Sequence, residues 1–220
     1  MSQFPLDDQG RCGLCRRGVR GFDAAYSFGF YENELRKLIQ LFKYGRIQTL
    51  SAPLGKLLAR ALPHEQSFDV IVPMPLHWRK RWQRGFNQAE LLAREIGRRT
   101  NIPVRNALRR VRSTASQAGL TSAKRRENVS GAFQASRRTG YVGAALFPTK
   151  TRKALDGLSV LLIDDVMTTG ATAASGARAL KRAGARQVTL LTLARADRRL
   201  MFDPLLHDSN FSGRSEDAQS

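Results

Sequence analysis

Asp164 and Asp165 stand side by side after an apolar run, and Thr168, Thr169, Gly170, Ala171 and Thr172 follow closely. Adjacent carboxylates accept hydrogen bonds from hydroxyl groups or take a hydrated divalent cation. The hydroxyl-rich turn has the opposite preference. Ahead of a helix it offers free backbone N–H groups, side-chain donors and the positive end of the helix dipole, which together hold a phosphate dianion. A phosphate beside two carboxylates is repelled unless the acids face something else, and ribose hydroxyls or hydrated Mg2+ fit that need. The segment reads as a cradle for a sugar phosphate. One alternative is an ordinary strand-to-helix turn with two solvated aspartates. Another is the acidic strand of a P-loop nucleotidase, which is set aside because no Gly-x-x-x-x-Gly-Lys-Ser/Thr occurs in the chain.

A strand and a helix must position these groups. Residues 160–163 are short and β-branched at both ends, which suits a strand covered on both faces, with the acids where it ends at the edge of an open α/β sheet. A helix is expected over about 173–183, stopped by Gly184. Residues 69–73 predict a second strand, followed by a basic loop with Pro75, Arg79, Lys80, Arg81 and Arg84 that feeds a helix over 89–99. Cations crowded before a helix N-terminus suit a pyrophosphate. In the same loop Trp78 and Trp82 either pack against the sheet or, with Phe86, stack on bases. Residues 187–195 read as a further core strand.

Residues 108–112 and 131–133 form a hairpin-like pair around 113–130, a Ser/Thr/Gln-rich basic segment containing Arg112, Lys124, Arg125 and Arg126. It is either an arm that folds over a pyrophosphate and excludes water, or a solvated basic hairpin. Upstream, 22–30 alternates aromatic and small residues as a strand does. Leu35, Leu38, Ile39 and Phe42 make one stripe of a helix over 34–43, closed by Gly45, and 53–62 makes another short helix. These three elements are expected to form a cap or hood ahead of the main sheet.

Length and composition bound the class. The 220 residues, 42% of them hydrophobic, suffice for one compact α/β domain with additions. The first twenty residues lack an apolar signal core, and no apolar run approaches the ~18 residues of a membrane span, so a cytoplasmic protein without membrane insertion is expected. The net charge is +19, and between Arg79 and Lys153 the only acids are Glu90, Glu95 and Glu127. Such a surface attracts polyanions, so nucleic acid is a second candidate partner, although high arginine content also simply solvates a surface. Cys12 and Cys15 stand as Cys-Gly-Leu-Cys, one half of a structural zinc site. No second pair follows, and His64 and His77 lack ligand spacing, so Zn2+ binding is disfavoured. A degraded zinc knuckle, a start lacking an upstream Cys pair and an exposed redox pair all remain open.

The Asp-Asp and Thr-Thr-Gly-x-Thr pattern resembles the phosphoribosyl pyrophosphate (PRPP) loop of type I phosphoribosyltransferases. Further motifs narrow the resemblance: Phe42-Lys43-Tyr44-Gly45, Pro73-x-Pro75-Leu76, Arg84-Gly85-Phe86-Asn87-Gln88-Ala89, Gln117-x-Gly119-Leu120, and Arg126-x-Asn128-Val129-x-Gly131-Ala132-Phe133. Together they resemble the ComF (GntX-like) family from about Cys12 to Arg195. The resemblance implies an open parallel sheet with helices on both faces and a small N-terminal hood. It divides the chain into a zinc-ribbon-like remnant over 1–21, a phosphoribosyltransferase-like domain over 22–200 and a polar tail over 201–220. It also implies PRPP or a ribose 5-phosphate group as ligand with Mg2+, and an association with natural competence through single-stranded DNA and DNA-processing proteins. In that reading Asp164 and Asp165 hold the ribose hydroxyls and 168–172 hold the 5′-phosphate. Pro75, Arg79, Lys80 and Arg84 grip the pyrophosphate, and Arg126 joins Asp164, Asp165 and Arg84 as a catalytic candidate. Active transfer in nucleotide salvage or synthesis and a non-catalytic adaptor both remain open, as does a homodimer.

Overall fold

A computed structural model describes residues 21–76, 82, 84–111, 131–136 and 154–196. Their elements are β1 (Ala24–Phe30), α1 (Asn33–Tyr44), α2 (Ser51–Ala59), β2 (Val70–Pro73), α3 (Gln88–Thr100), β3 (Leu108–Arg110), β4 (Phe133–Ala135), β5 (Ser159–Met167), α4 (Ala171–Arg182) and β6 (Gln187–Arg195). The main sheet has the order β1-β6-β5-β2, with every pairing parallel. A single parallel bridge from Ile71 to Val104 extends it beyond β2. β3 and β4 pair separately and antiparallel, as the hairpin reading expected, with Arg110 opposite Phe133.

The open parallel sheet and its helices match the expected class, and the near-continuous apolar strands explain why. Residues 160–163 in β5 and Val188, Leu190, Leu191 and Leu193 in β6 are fully buried, as strands covered on both faces require. Side chains alternate between the two layers. Val70, Val72, Val160, Leu162, Val188 and Leu190 pack toward Ala173, Ala177 and Leu180 of α4 and toward Phe133. Ile71, Leu161, Ile163, Leu191 and Leu193 pack toward Ile39 and Phe42 of α1, Leu54 and Leu58 of α2, and Leu92 and Ile96 of α3. Each buried Val, Leu, Ile or Phe side chain among them contributes about 1.5–3 kcal/mol.

The N-terminal elements need one correction. β1 does not precede the sheet; it is the sheet's edge strand, in parallel register with β6 from Ala24 opposite Thr189 to Phe30 opposite Arg195. Its alternating aromatic and small residues suit a half-covered edge. α1 and α2 then share the layer of α3 rather than standing apart. Gly45 ends α1 with φ −75°, in the right-handed region, and Arg46 takes the positive φ of 54°. Gly45 is needed for space instead, since a Cβ there would lie 2.8 Å from the Leu41 carbonyl oxygen.

Two further boundaries bear on the site. β5 does not stop before the acids; it runs through them to Met167, with Asp164 opposite Thr192 and Met167 opposite Arg195. α4 begins at Ala171, two residues earlier than expected, because Gly170 takes φ 72° and turns the chain directly into the helix.

Candidate phosphoribosyl site

β5 delivers Asp164 and Asp165 in its last turns of pleat, so neighbouring side chains leave opposite faces of the sheet. Asp165 has the parity of Leu161 and Ile163, toward the α1 layer, and its carboxylate meets the Lys43 ammonium at 3.1 Å. Both side chains are sheltered, 14% exposed for Lys43 and 15% for Asp165. Asp164 has the parity of Val160 and Leu162, toward the layer of the β3–β4 pair. Its Oδ1 accepts the Asp165 backbone N–H at 2.9 Å. Burial first, and the Asp165 carboxylate second, push the Asp164 carboxyl up to about 7. That Asp165 N–H and the charges of Lys43 and Arg110 pull the other way. Arg110 lies over the Phe133 ring at 5.5 Å, and burial lowers its pKa while Asp164 opposes the shift.

The turn after β5 divides its labour. Thr168, Gly170 and Thr172 line the cleft. Thr169 instead accepts the Ala171 N–H through Oγ1 at 3.3 Å, and Ala171 is itself buried. Ala174 N–H reaches the Gly170 carbonyl at 2.8 Å. Thr172 and Ala173 stand in the first turn of α4 and line the cleft; the leading N–H groups of a helix have no intrahelical partner, so this turn presents donors and a positive dipole end to the cleft. The small residues of α4 bring it close to the sheet: a Cβ on Gly176 would lie 2.9 Å from Met74 Sδ.

The opposite wall comes from the loop before α3. Asn87 caps that helix by accepting Ala89 N–H at 3.2 Å, and its Nδ2 donates to the Met74 carbonyl at 2.9 Å. The helix start is thus tied to the end of β2. Arg84 donates to Gln88 Oε1 at 3.2 Å and lies 5.0 Å from the centroid of the Tyr44 ring. Gln88 in turn donates to the Phe42 carbonyl at 3.5 Å, and the Phe42 and Phe86 rings lie 5.5 Å apart. The Arg-Gly-Phe-Asn-Gln motif is therefore a brace between α1, β2 and α3.

These elements enclose a cleft of about 340 Å³ at the carboxyl ends of β2 and β5, the edge at which open α/β sheets bind ligands. Of the residues anticipated from sequence, Asp164, Asp165, Thr168, Gly170, Thr172, Pro75 and Arg84 meet there. Thr169 and Ala171 support the turn without lining it. Cys12, Cys15, Arg79, Lys80 and Arg126 lie outside the described residues. Lys43, Arg110 and Tyr31 line the cleft without having been assigned a role. Lys43 had a signal, its place in the Phe-Lys-Tyr-Gly motif; Arg110 had only strand alternation beside the buried Leu108. Phe86 is 7% exposed and belongs to the core, which corrects its reading as a stacking face, whereas Trp82 is 85% exposed.

The acidic pair suits a hydrated Mg2+, which binds through one or two carboxylates and completes its shell with water and ligand phosphates. No group of three or more His, Cys, Asp or Glu side chains capable of holding a metal occurs among the described residues. No helix among them is long and apolar enough to cross a membrane.

A parallel sheet with an acidic pair and a glycine turn into a helix at the end of one strand defines an open-sheet α/β protein with its cleft at the strand ends. Residues 83–204 match the phosphoribosyl transferase domain family. Competence protein F of Haemophilus influenzae is 32% identical over 192 residues, covering 84% of this chain and 78% of that protein. DNA utilization protein YhgH of Escherichia coli K12 is 30% identical over 191 residues, covering 84% and 77%. Competence protein ComFC of Bacillus subtilis is 28% identical over 171 residues, covering 76% and 62%. The chain belongs to the ComF family of type I phosphoribosyltransferase-domain proteins.

Proposed function

We propose that this cleft binds PRPP or a ribose 5-phosphate group with Mg2+, in a protein that serves competence and the handling of single-stranded DNA. The observation that carries the ligand reading is the meeting of the two carboxylates of β5 with the open first turn of α4 in one cleft. The N–H groups of Thr172 and Ala173, with the Thr168 and Thr172 hydroxyls, hold the 5′-phosphate. Asp164 and Asp165 accept the ribose hydroxyls, which orients the anomeric carbon toward the Arg84 wall. Arg84, already stacked on Tyr44, stabilises negative charge that grows on a departing pyrophosphate, and Arg79, Lys80 and Arg126 are assigned to the same task from sequence. Bound at the acidic pair with its ligand, Mg2+ neutralises phosphate charge and polarises the phosphoryl oxygens.

The DNA reading is supported by the names of the relatives, by the net charge of +19 and by two exposed aromatic side chains, Tyr44 under the Arg84 guanidinium and Trp82, which follows Arg81 in sequence. Incubation with PRPP, Mg2+ and a panel of bases and amines, followed by assay of free pyrophosphate, separates an active transferase from a ligand-binding adaptor. Single-strand affinity measured across a salt series should fall steeply as salt rises; a slope near zero removes the electrostatic grip on DNA.

A further inference from the structure

The acidic pair is already matched by cations of the protein. Asp165 is ion-paired with Lys43 at 3.1 Å, and Asp164 lines the same cleft as Arg110, whose charge favours the ionised carboxylate. The Lys43 ammonium is held in place rather than offered from the surface. It lies 5.8 Å from the centroid of the Tyr31 ring, and Tyr31 is fixed in turn by a 3.3 Å hydrogen bond from Gln40 Nε2 to its hydroxyl. Lys43 also sits in the last turn of α1, where the helix dipole favours a cation. With Arg84, the described lining carries three cations against two carboxylates. A divalent ion entering the empty cleft meets one acid in an ion pair and net positive surroundings.

Resting on the phosphoribosyl reading above, we propose that Lys43 is a resident cation of this site and determines which ligands need metal. A ligand whose only anionic group is the 5′-phosphate, such as ribose 5-phosphate, binds without Mg2+, because Lys43 keeps Asp165 compensated while that carboxylate accepts the sugar hydroxyls. PRPP brings further charge in its pyrophosphate, and Mg2+ enters with that group rather than binding the empty protein. Lys43 is thus a positioning and specificity residue, acting through Asp165 and not on the reacting carbon.

The test is calorimetric titration of the full chain with ribose 5-phosphate and with PRPP, each in EDTA and in Mg2+. Wild type, Lys43→Met and Lys43→Arg are compared, with melting temperatures recorded for all three. Wild-type affinity for ribose 5-phosphate should change by less than about threefold between the buffers, a small fraction of the discrimination that a metal-dependent contact supplies. Lys43→Met should lose about tenfold or more in EDTA and recover part of it in Mg2+, as truncating one member of a sheltered charge pair predicts. Lys43→Arg should retain metal-free binding. The assignment is overturned if wild type binds ribose 5-phosphate only with Mg2+, or if Lys43→Met matches wild type in EDTA. In the first case PRPP binding survives and the phosphoribosyl reading stands alone. If neither ligand binds in either buffer, that reading falls and the role of Lys43 falls with it.

Discussion

Replacing Asp164 by Asn should make the free protein more stable at neutral and alkaline pH while weakening its ligand site. Burial first, and then the Asp165 carboxylate, push the Asp164 carboxyl from an ordinary value of 3.8 up to about 7 in the folded protein. An acid whose folded pKa lies above its unfolded one binds its proton more tightly in the native state. Its ionisation carries no penalty below the unfolded pKa, an increasing one as pH rises toward 7, and a constant one above that. A shift from 3.8 to about 7 sets a ceiling of about 4 kcal/mol, at 1.36 kcal/mol per pH unit. Solvent reaches part of the cleft, so the expected gain is about 1–3 kcal/mol. Asn keeps an Oδ1 that can accept the Asp165 N–H now bonded at 2.9 Å, so the exchange removes charge and little else. Urea unfolding of wild type and Asp164→Asn should show that gain at about pH 8 and no difference near pH 4. In melting temperature, each kcal/mol corresponds to about 2–4 °C for a chain of this size. Equal or lower stability of the variant at the higher pH would refute the argument. A gain accompanied by weaker ligand binding would mark Asp164 as a residue that costs stability in exchange for function.

Three other substitutions probe the frame. Gly170→Ala places a side chain at φ 72°, where Ala is strained by about 1 kcal/mol, and tilts the first turn of α4; chemical denaturation should report that loss, with weaker phosphate binding by calorimetry. Gly55→Ala sets a Cβ 2.5 Å from Glu95 Cβ where α2 crosses α3, so about 1–3 kcal/mol of overpacking is expected from denaturant midpoints. Phe42→Ala empties a fully buried position whose ring lies 5.5 Å from Phe86 and whose carbonyl accepts from Gln88, and unfolding should be easier by about 3–5 kcal/mol.

Much of this arrangement is legible in the chain itself because several levels agree. The apolar strand, the acids and the small-residue turn each constrain the same local path, so β5 and α4 could be read with only their boundaries shifted and β6 with the bounds it has. β5 extends past its acids because pairing with β6 continues through Val166 and Met167, and no local feature of Asp-Asp shows that a neighbour strand will carry it on. The placement of β1 was hidden for a related reason: alternation marks a half-covered strand but not which edge completes the sheet. Phe86 was misread because an aromatic among arginines suits stacking as well as core, and only the approach of Phe42 decides. Lys43 and Arg110 escaped assignment since their roles depend on contacts across more than fifty residues, from α1 and β3 to β5. The basic character of the loop before α3 was visible, whereas the use of Asn87 and Gln88 as a brace appears only once Met74 and Phe42 come within reach.

The central claim is tested most directly by titrating PRPP with Mg2+ into wild type and into the Asp164→Asn, Asp165→Asn double variant by calorimetry. The account predicts saturable binding to wild type and an affinity lower by about tenfold or more in the double variant, whose fold is retained by melting temperature. Equal affinity in the two proteins, or no binding to wild type, would contradict it.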